Sequence, residues 1–114
     1  MRHVATAGWT LEIPETHLER TRGLLGRDSL DRTRALVLAR CRSVHTVGMR
    51  FPIDAVMFDA DWEAVGVRSL SATRIGWPRR HVRHIVETAA GRGQAFTEAL
   101  DGRTIREALG IDRR

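Results

Sequence analysis

Cys41, His45, His81 and His84 are residue types that hold zinc, and the spacings Cys-x-x-x-His and His-x-x-His are usable for it. Arg40, Arg42, Arg80 and Arg83 flank these would-be ligands, however. Adjacent guanidiniums oppose both a dication and the thiolate that would bind it, so no metal and no cofactor are expected. Cys41 with His45 as its base would be a nucleophilic pair. In a strand, residues four apart lie ~13 Å apart along the axis, outside hydrogen-bond reach. Ser43, His45 and Asp54 name a hydrolase triad, but nothing around Ser43 has the strand–turn–helix setting of a nucleophile elbow. Gly23-Leu24-Leu25-Gly26 falls at the end of an expected helix and lacks the positive dipole that draws phosphate to a helix start. Arg74, Arg79, Arg80 and Arg83, with Trp77 among them, could stack on and neutralise a single nucleic-acid strand. A solvated loop anchored by Trp77 is the preferred account.

The composition narrows the classes further. The chain has 114 residues, 42% hydrophobic and 29% charged, the balance of one globular domain over residues 1–114. The net charge is +5, yet all 19 basic residues are arginine, and Lys, Asn and Tyr are absent. That bias fits a G/C-rich coding choice, and the arginines are interleaved with 14 acids. Nucleic-acid binding is therefore not the expected partnership. No apolar run approaches the ~18 residues of a membrane span. The first residues lack the apolar stretch of a secretory signal, and Cys41 has no disulfide partner within the chain. A cytoplasmic location is expected.

The elements that must position these side chains are short. Trp9, Leu11 and Ile13 alternate with polar residues as in a half-buried strand. Residues 14–25 form the one main expected helix, with Pro14 in its first turn and Gly26 beyond its end. Ala35–Ala39, Val44–Met49, Ile53–Phe58 and Ala64–Arg68 read as strands, with a hairpin turn at Asp59–Trp62. Residues 69–80 are expected as a long loop and 81–88 as a strand. A short second helix near 94–100 and a last strand over 103–106 complete the chain. The expectation is a mainly β (α+β) domain, a compact antiparallel β-barrel or sandwich-like fold.

Arg22-Gly23-Leu24-Leu25-Gly26-Arg27 is followed by Ser43-Val44-His45-Thr46-Val47-Gly48-Met49-Arg50-Phe51-Pro52-Ile53-Asp54, then by an acidic hairpin and by Val86-Glu87 leading to Gly91. In this order the chain resembles the domain-of-unknown-function 192 family from about Trp9 to Arg106. The resemblance implies a compact β-barrel or sandwich-like domain and no assigned reaction. Gly23, Leu24, Arg27, His45, Thr46, Met49, Pro52, Asp54 and Glu87 match its characteristic positions. Trp62 stands where the family often has glycine, and Ala89-Ala90 where it tends to have Pro-Ala.

The expected function is a small non-catalytic binding or accessory domain for a small molecule or protein. Its shallow polar site would form near Arg27, His45, Thr46, Arg50 and Glu87, with Gly23, Leu24, Met49, Pro52 and Asp54 as structural positions. The alternatives are a small enzyme using His45 or Glu87 for proton transfer, and arginine-mediated nucleic-acid binding. His45 and Asp54 are not expected to form a catalytic dyad. If Val44–Met49 and Ile53–Phe58 pair as a tight hairpin, they sit at its opposite ends, ~13 Å apart.

Overall fold

The computed structural model describes residues 1–46, 48–72, 75–76 and 80–111, with backbone alone at 44, 45, 75 and 76. The chain opens with β1 (Arg2–Thr6), β2 (Trp9–Ile13), α1 (His17–Arg22), β3 (Arg34–Leu38) and β4 (Val44–His45). It continues through β5 (Ile53–Phe58), β6 (Ala64–Leu70), β7 (Ile75–Gly76), β8 (His84–Ala89), α2 (Gly93–Ala99) and α3 (Gly102–Leu109). Six strands make one sheet in the order β1-β2-β3-β8-β5-β6, and β4 pairs with β7 in a separate two-stranded ladder. The mainly β expectation holds. The six-stranded sheet is mixed, because β2 and β3 run parallel across the crossover that carries α1. It is also open, with β1 and β6 at its edges.

Strands β3, β8 and β5 lie in the middle and read as near-continuous apolar runs because both faces are covered. One face presents Leu11, Val37, Val56, Phe58 and Val86 to Phe96, Leu100 and Ile105. Phe96 meets Trp9 edge to face at 5.1 Å. The other face presents Leu36, Leu38, Ile53, Ala55 and Ile85 to Leu24, Leu30, Met49 and Val82.

Three local expectations are corrected. The helix expected over 14–25, with Pro14 in its first turn, spans only six residues, because Thr16 is its N-cap and Gly23 its C-cap. A capping box fixes its start: Glu19 N–H donates to Thr16 Oγ1 at 3.1 Å, and Glu19 Oε1 accepts from Thr16 N at 3.3 Å. Residues 103–106 are helical, not a strand. Asp101 accepts a hydrogen bond from Thr104 N at 2.8 Å, and Gly110 closes the helix in the left-handed region. What reads in sequence as an Asp-Gly turn is thus an N-cap. Finally, β4 does not lie beside β5. Its partner is β7, within the segment expected as a loop, while β5 pairs with β6 and β8. The tight hairpin expected to set His45 and Asp54 at opposite ends is therefore not formed.

Asp54 instead serves the opposite face from the Leu36 cluster. Its Oδ2 accepts the Gly93 N–H at 2.9 Å and its Oδ1 the Ser69 hydroxyl at 2.8 Å, so β5 caps the start of α2. Gly93 permits this approach, since a Cβ there would stand 2.6 Å from Val67 Cγ1. Among the described residues no helix is long and apolar enough to cross a membrane.

Candidate functional site

Helix α1 buries none of its own side chains and lies over the β3–β8 pair as a wall. The wall turns sharply at Gly23, whose φ of 51° and ψ of −122° suit only glycine. This turn sets Leu24 into the core and brings the glycine against Leu36 of β3. Leu25, next along the chain, packs against the turn at Gly48, φ 86°. Beside α1 is a cleft of about 320 Å³, lined by Glu87, Leu38, Met49, Cys41 and Ser43, with Arg20 and Arg22 of α1 at its mouth.

Glu87 lies in the floor on β8, only 4% exposed. It has no hydrogen bond or ion pair among the described residues, and burial alone pushes its carboxyl up to about 7. Such a group is part neutral and part ionised near neutral pH. It offers a proton donor in one state and two acceptor oxygens in the other. Burial likewise pushes the Cys41 thiol up, against the smaller lowering effects of the Ser43 backbone and of Arg20. That bond, Sγ to Ser43 O at 3.0 Å, keeps the thiol as a donor. Arg20 spans the rim, with Nη2 donating to the Arg40 carbonyl at 2.9 Å.

The structure gathers Glu87, Gly23 and Met49 of the expected positions and disperses others. Arg27 Nη2 lies 2.8 Å from Glu12 Oε1, an ion pair off the hydrogen-bond line, and Arg34 donates to Oε2 at 3.1 Å. Arg50 pairs with Asp28 at 2.7 Å. Thr46 is buried and donates to the Ser71 carbonyl at 2.8 Å. Pro52 is exposed just before β5. The backbone of His45 belongs to β4, opposite Ile75, and its side chain is outside the described residues. Arg74, Trp77 and Arg79 are likewise outside them.

The zinc-type residues are also separated in purpose. His84 Nδ1 accepts the Arg40 N–H at 2.8 Å, and its ring stacks on Trp62 at 3.9 Å and 1°. Burial is the largest influence on His84 and lowers its proton affinity, so the ring is neutral and already engaged. His81 is exposed. Among the described residues no three His, Cys, Asp or Glu side chains gather as ligands. A second cleft of about 410 Å³ lies beside the stack, among Arg2, Trp62, His84, Arg106 and Leu109. Its one imidazole is the ring already bonded to Arg40.

Sequence reasoning picked out Glu87 but missed Arg20 and Arg22, which it used only as favourable charges at a helix end. It also missed Glu12, which is 3% exposed. Trp9, Leu11 and Ile13 alternate around Glu12, and that pattern points it at solvent when only one face of the sheet is assumed buried.

Among solved structures the chain is similar to a protein of Sinorhizobium meliloti 1021, described as a candidate transcription regulator. The TM-score is 0.64 at 15% identity, covering 82% of this chain and 78% of that one. It is also similar to a protein of unknown function from Novosphingobium aromaticivorans DSM 12444, with TM-score 0.59 at 16% identity, covering 96% of this chain and 76% of that one. At these identities the likeness is one of fold alone. No curated protein matches the chain. The model of the domain-of-unknown-function 192 family (DUF192, Uncharacterized ACR) matches residues 2–101, and the chain belongs to that family.

Proposed function

We propose that the chain is one cytoplasmic, non-catalytic binding domain that takes a small molecule in the Glu87 cleft. The supporting observation is Glu87 itself. A carboxyl buried to this degree ordinarily has a partner, because an unmade hydrogen bond costs about 1–3 kcal/mol. Here the carboxyl is 4% exposed, without a partner among the described residues, and faces a cleft of about 320 Å³. That volume lies at the small end of ligand sites, which run from roughly 300 Å³ upward. A ligand oxygen or nitrogen would supply the missing bond.

A general set of small polar fragments, screened by amide chemical-shift mapping, tests this. Shared hits are expected around Gly23, Cys41 and Glu87. Hits gathered at the Trp62–His84 cleft or scattered over the surface would overturn the proposal.

Proton-transfer catalysis is favoured by one observation, the Glu87 carboxyl at about 7, where a general acid or base is efficient. Its cleft neighbour Cys41 is a protonated thiol bonded to a carbonyl. Glu87 thus has no activated nucleophile beside it there, and binding is preferred. Nucleic-acid binding draws less support, since Arg27, Arg34 and Arg50 are held in ion pairs.

A further inference from the structure

The cleft's charges are separated by depth. Among the described residues Glu87 is the one acid in its lining, and it sits at the floor. Arg20 and Arg22 stand at the mouth, and Arg22 is exposed and forms no ion pair among the described residues. Neither guanidinium reaches the floor closely enough to lower Glu87, whose shift has burial as its cause. Leu38, Met49 and Leu25 make the walls between the two levels. No aromatic ring is in the described lining, so there is no platform on which a nucleobase or sugar ring would stack. The volume admits a body of a few carbons with room to spare.

Resting on the binding proposal above, we infer that the ligand is a short aliphatic carboxylate with a second oxygen function, its anionic end at Arg20 and Arg22 and its other oxygen bonded to Glu87. A ligand amine is disfavoured by the two guanidiniums at the entrance. A purely aliphatic acid would leave Glu87 without its bond, and a neutral ketone would leave the arginines unused.

Four probes of similar size separate these terms: levulinate, pentanoate, methyl propyl ketone and pentylammonium. Each is titrated at millimolar concentration into the full chain, with the Gly23, Cys41 and Glu87 amide signals as readout. Levulinate is expected to move them, with pentanoate about tenfold weaker for want of one hydrogen bond. The ketone and the ammonium are expected to leave them still. Arg22→Ala should weaken levulinate by roughly two- to fivefold, the range of a solvent-exposed charge contact. Levulinate affinity should also fall as pH rises through about 7, as Glu87 loses its proton. The groups facing Glu87 are His17, Arg20 and Arg22 from α1 and Cys41 after β3. Glu87→Gln is the control: it keeps a donor and should remove the Glu87 part of the pH dependence. A preference for the ketone or the ammonium, or equal binding of levulinate and pentanoate, would overturn the ligand class while leaving the cleft a binding site. If no probe moves the cleft signals, the ligand class falls, and the fragment screen decides separately whether the cleft binds anything.

Discussion

Glu12 and Glu87 flank the same residue: Leu36 is the registered partner of Glu12 across the parallel β2–β3 ladder and of Glu87 across the antiparallel β3–β8 ladder. Registered neighbours share a face, so two acids point to one side of the sheet about 10 Å apart, each almost fully buried. Burial pushes both carboxyls up. In Glu12 that rise is overcome by Arg27 and Arg34, which hold it below the usual carboxylate range. Glu87 has no such pair among the described residues. One acid is therefore an internal tie between β2 and the segment after α1, and the other is the group that the binding proposal assigns to a ligand.

The first consequence is a stability that falls with pH. The folded-state carboxyl of Glu87 rises from 4.5 to about 7, so between those values the unfolded chain ionises while the folded one keeps its proton. The folded state then binds more protons, and stability declines through this window and levels off above about 7. At about 1.4 kcal/mol for each pH unit separating the two states, the full effect is about 3 kcal/mol. Glu87→Gln should therefore be the more stable protein at about pH 8, and its advantage should grow by about 2–3 kcal/mol from about pH 5. Urea denaturation of both proteins at the two pH values measures it. An advantage independent of pH would show that Glu87 is paired after all.

Glu12 has the opposite sign. Its carboxyl is lowered in the folded state, so its contribution is present above the unfolded value and is lost as pH falls through the folded one. Glu12→Gln should cost about 2 kcal/mol near neutral pH, a typical loss for hydrogen bonds to charged groups. The gap to wild type should close in acid, as pH falls below 4.5 and through the lowered folded-state value. Denaturation midpoints across that range decide it, and a gap that persisted in acid would mean that packing, not the ion pairs with Arg27 and Arg34, accounts for the cost.

Period-two alternation in Trp9–Ile13 and the apolar runs over β3 and β5 were enough to locate central strands, since a sheet buried on both faces writes itself in β-branched and aliphatic residues. Strand β1 carried no such signal. It is an edge strand, four of its side chains are exposed or half-exposed polar or small residues, and it is held by backbone bonds and by the Ala7-Gly8 turn, where both residues take positive φ. Register and pairing were illegible for a similar reason: β4 and β7 are two residues each, too short to show a period. The site was half legible. Glu87 entered through a family resemblance, whereas Arg20 and Arg22 reach it only because Gly23 turns the chain back over β3, a placement that spacing along the chain does not contain.

The tie between Asp54 and Gly93 predicts a non-additive pair of substitutions. Gly93→Ala would place a Cβ 2.6 Å from Val67 Cγ1 and 3.0 Å from Asp54 Oδ2, forcing α2 away from β5 and β6. Overpacking of this kind costs about 1–3 kcal/mol. Asp54→Ala removes the acceptor of both the Gly93 N–H and the Ser69 hydroxyl, at about 2–3 kcal/mol. It also makes room for the new methyl group. The double variant should thus be more stable than the sum of the singles by at least about 0.5 kcal/mol, beyond the additivity expected of distant sites. Strict additivity in chemical denaturation would contradict the shared contact.

Trp62 gives a prediction in which glycine outperforms alanine. The residue sits at φ 64°, in the left-handed region, at the end of a turn organised by Asp59, whose Oδ1 accepts from Asp61 N and Glu63 N. The family the chain resembles often has glycine here, and in this chain tryptophan occupies a left-handed backbone that glycine adopts without a Cβ penalty. The strain, about 1 kcal/mol for a residue with a Cβ, is offset by a buried ring that packs on Phe58 at 5.5 Å and stacks flat on His84 at 3.9 Å. Both Trp62→Ala and Trp62→Gly lose that ring, at about 3–5 kcal/mol before any relief. Alanine keeps the backbone strain and glycine releases it, so the glycine variant should melt higher by the equivalent of about 1 kcal/mol. Loss of the stack also wets the His84 imidazole. Since burial is the largest influence lowering His84, its proton affinity should rise in both variants, measurable by proton NMR titration of the ring. An alanine variant at least as stable as the glycine one would show that the left-handed backbone carries no strain here, and an unmoved His84 titration would show that Trp62 does not shield it from water.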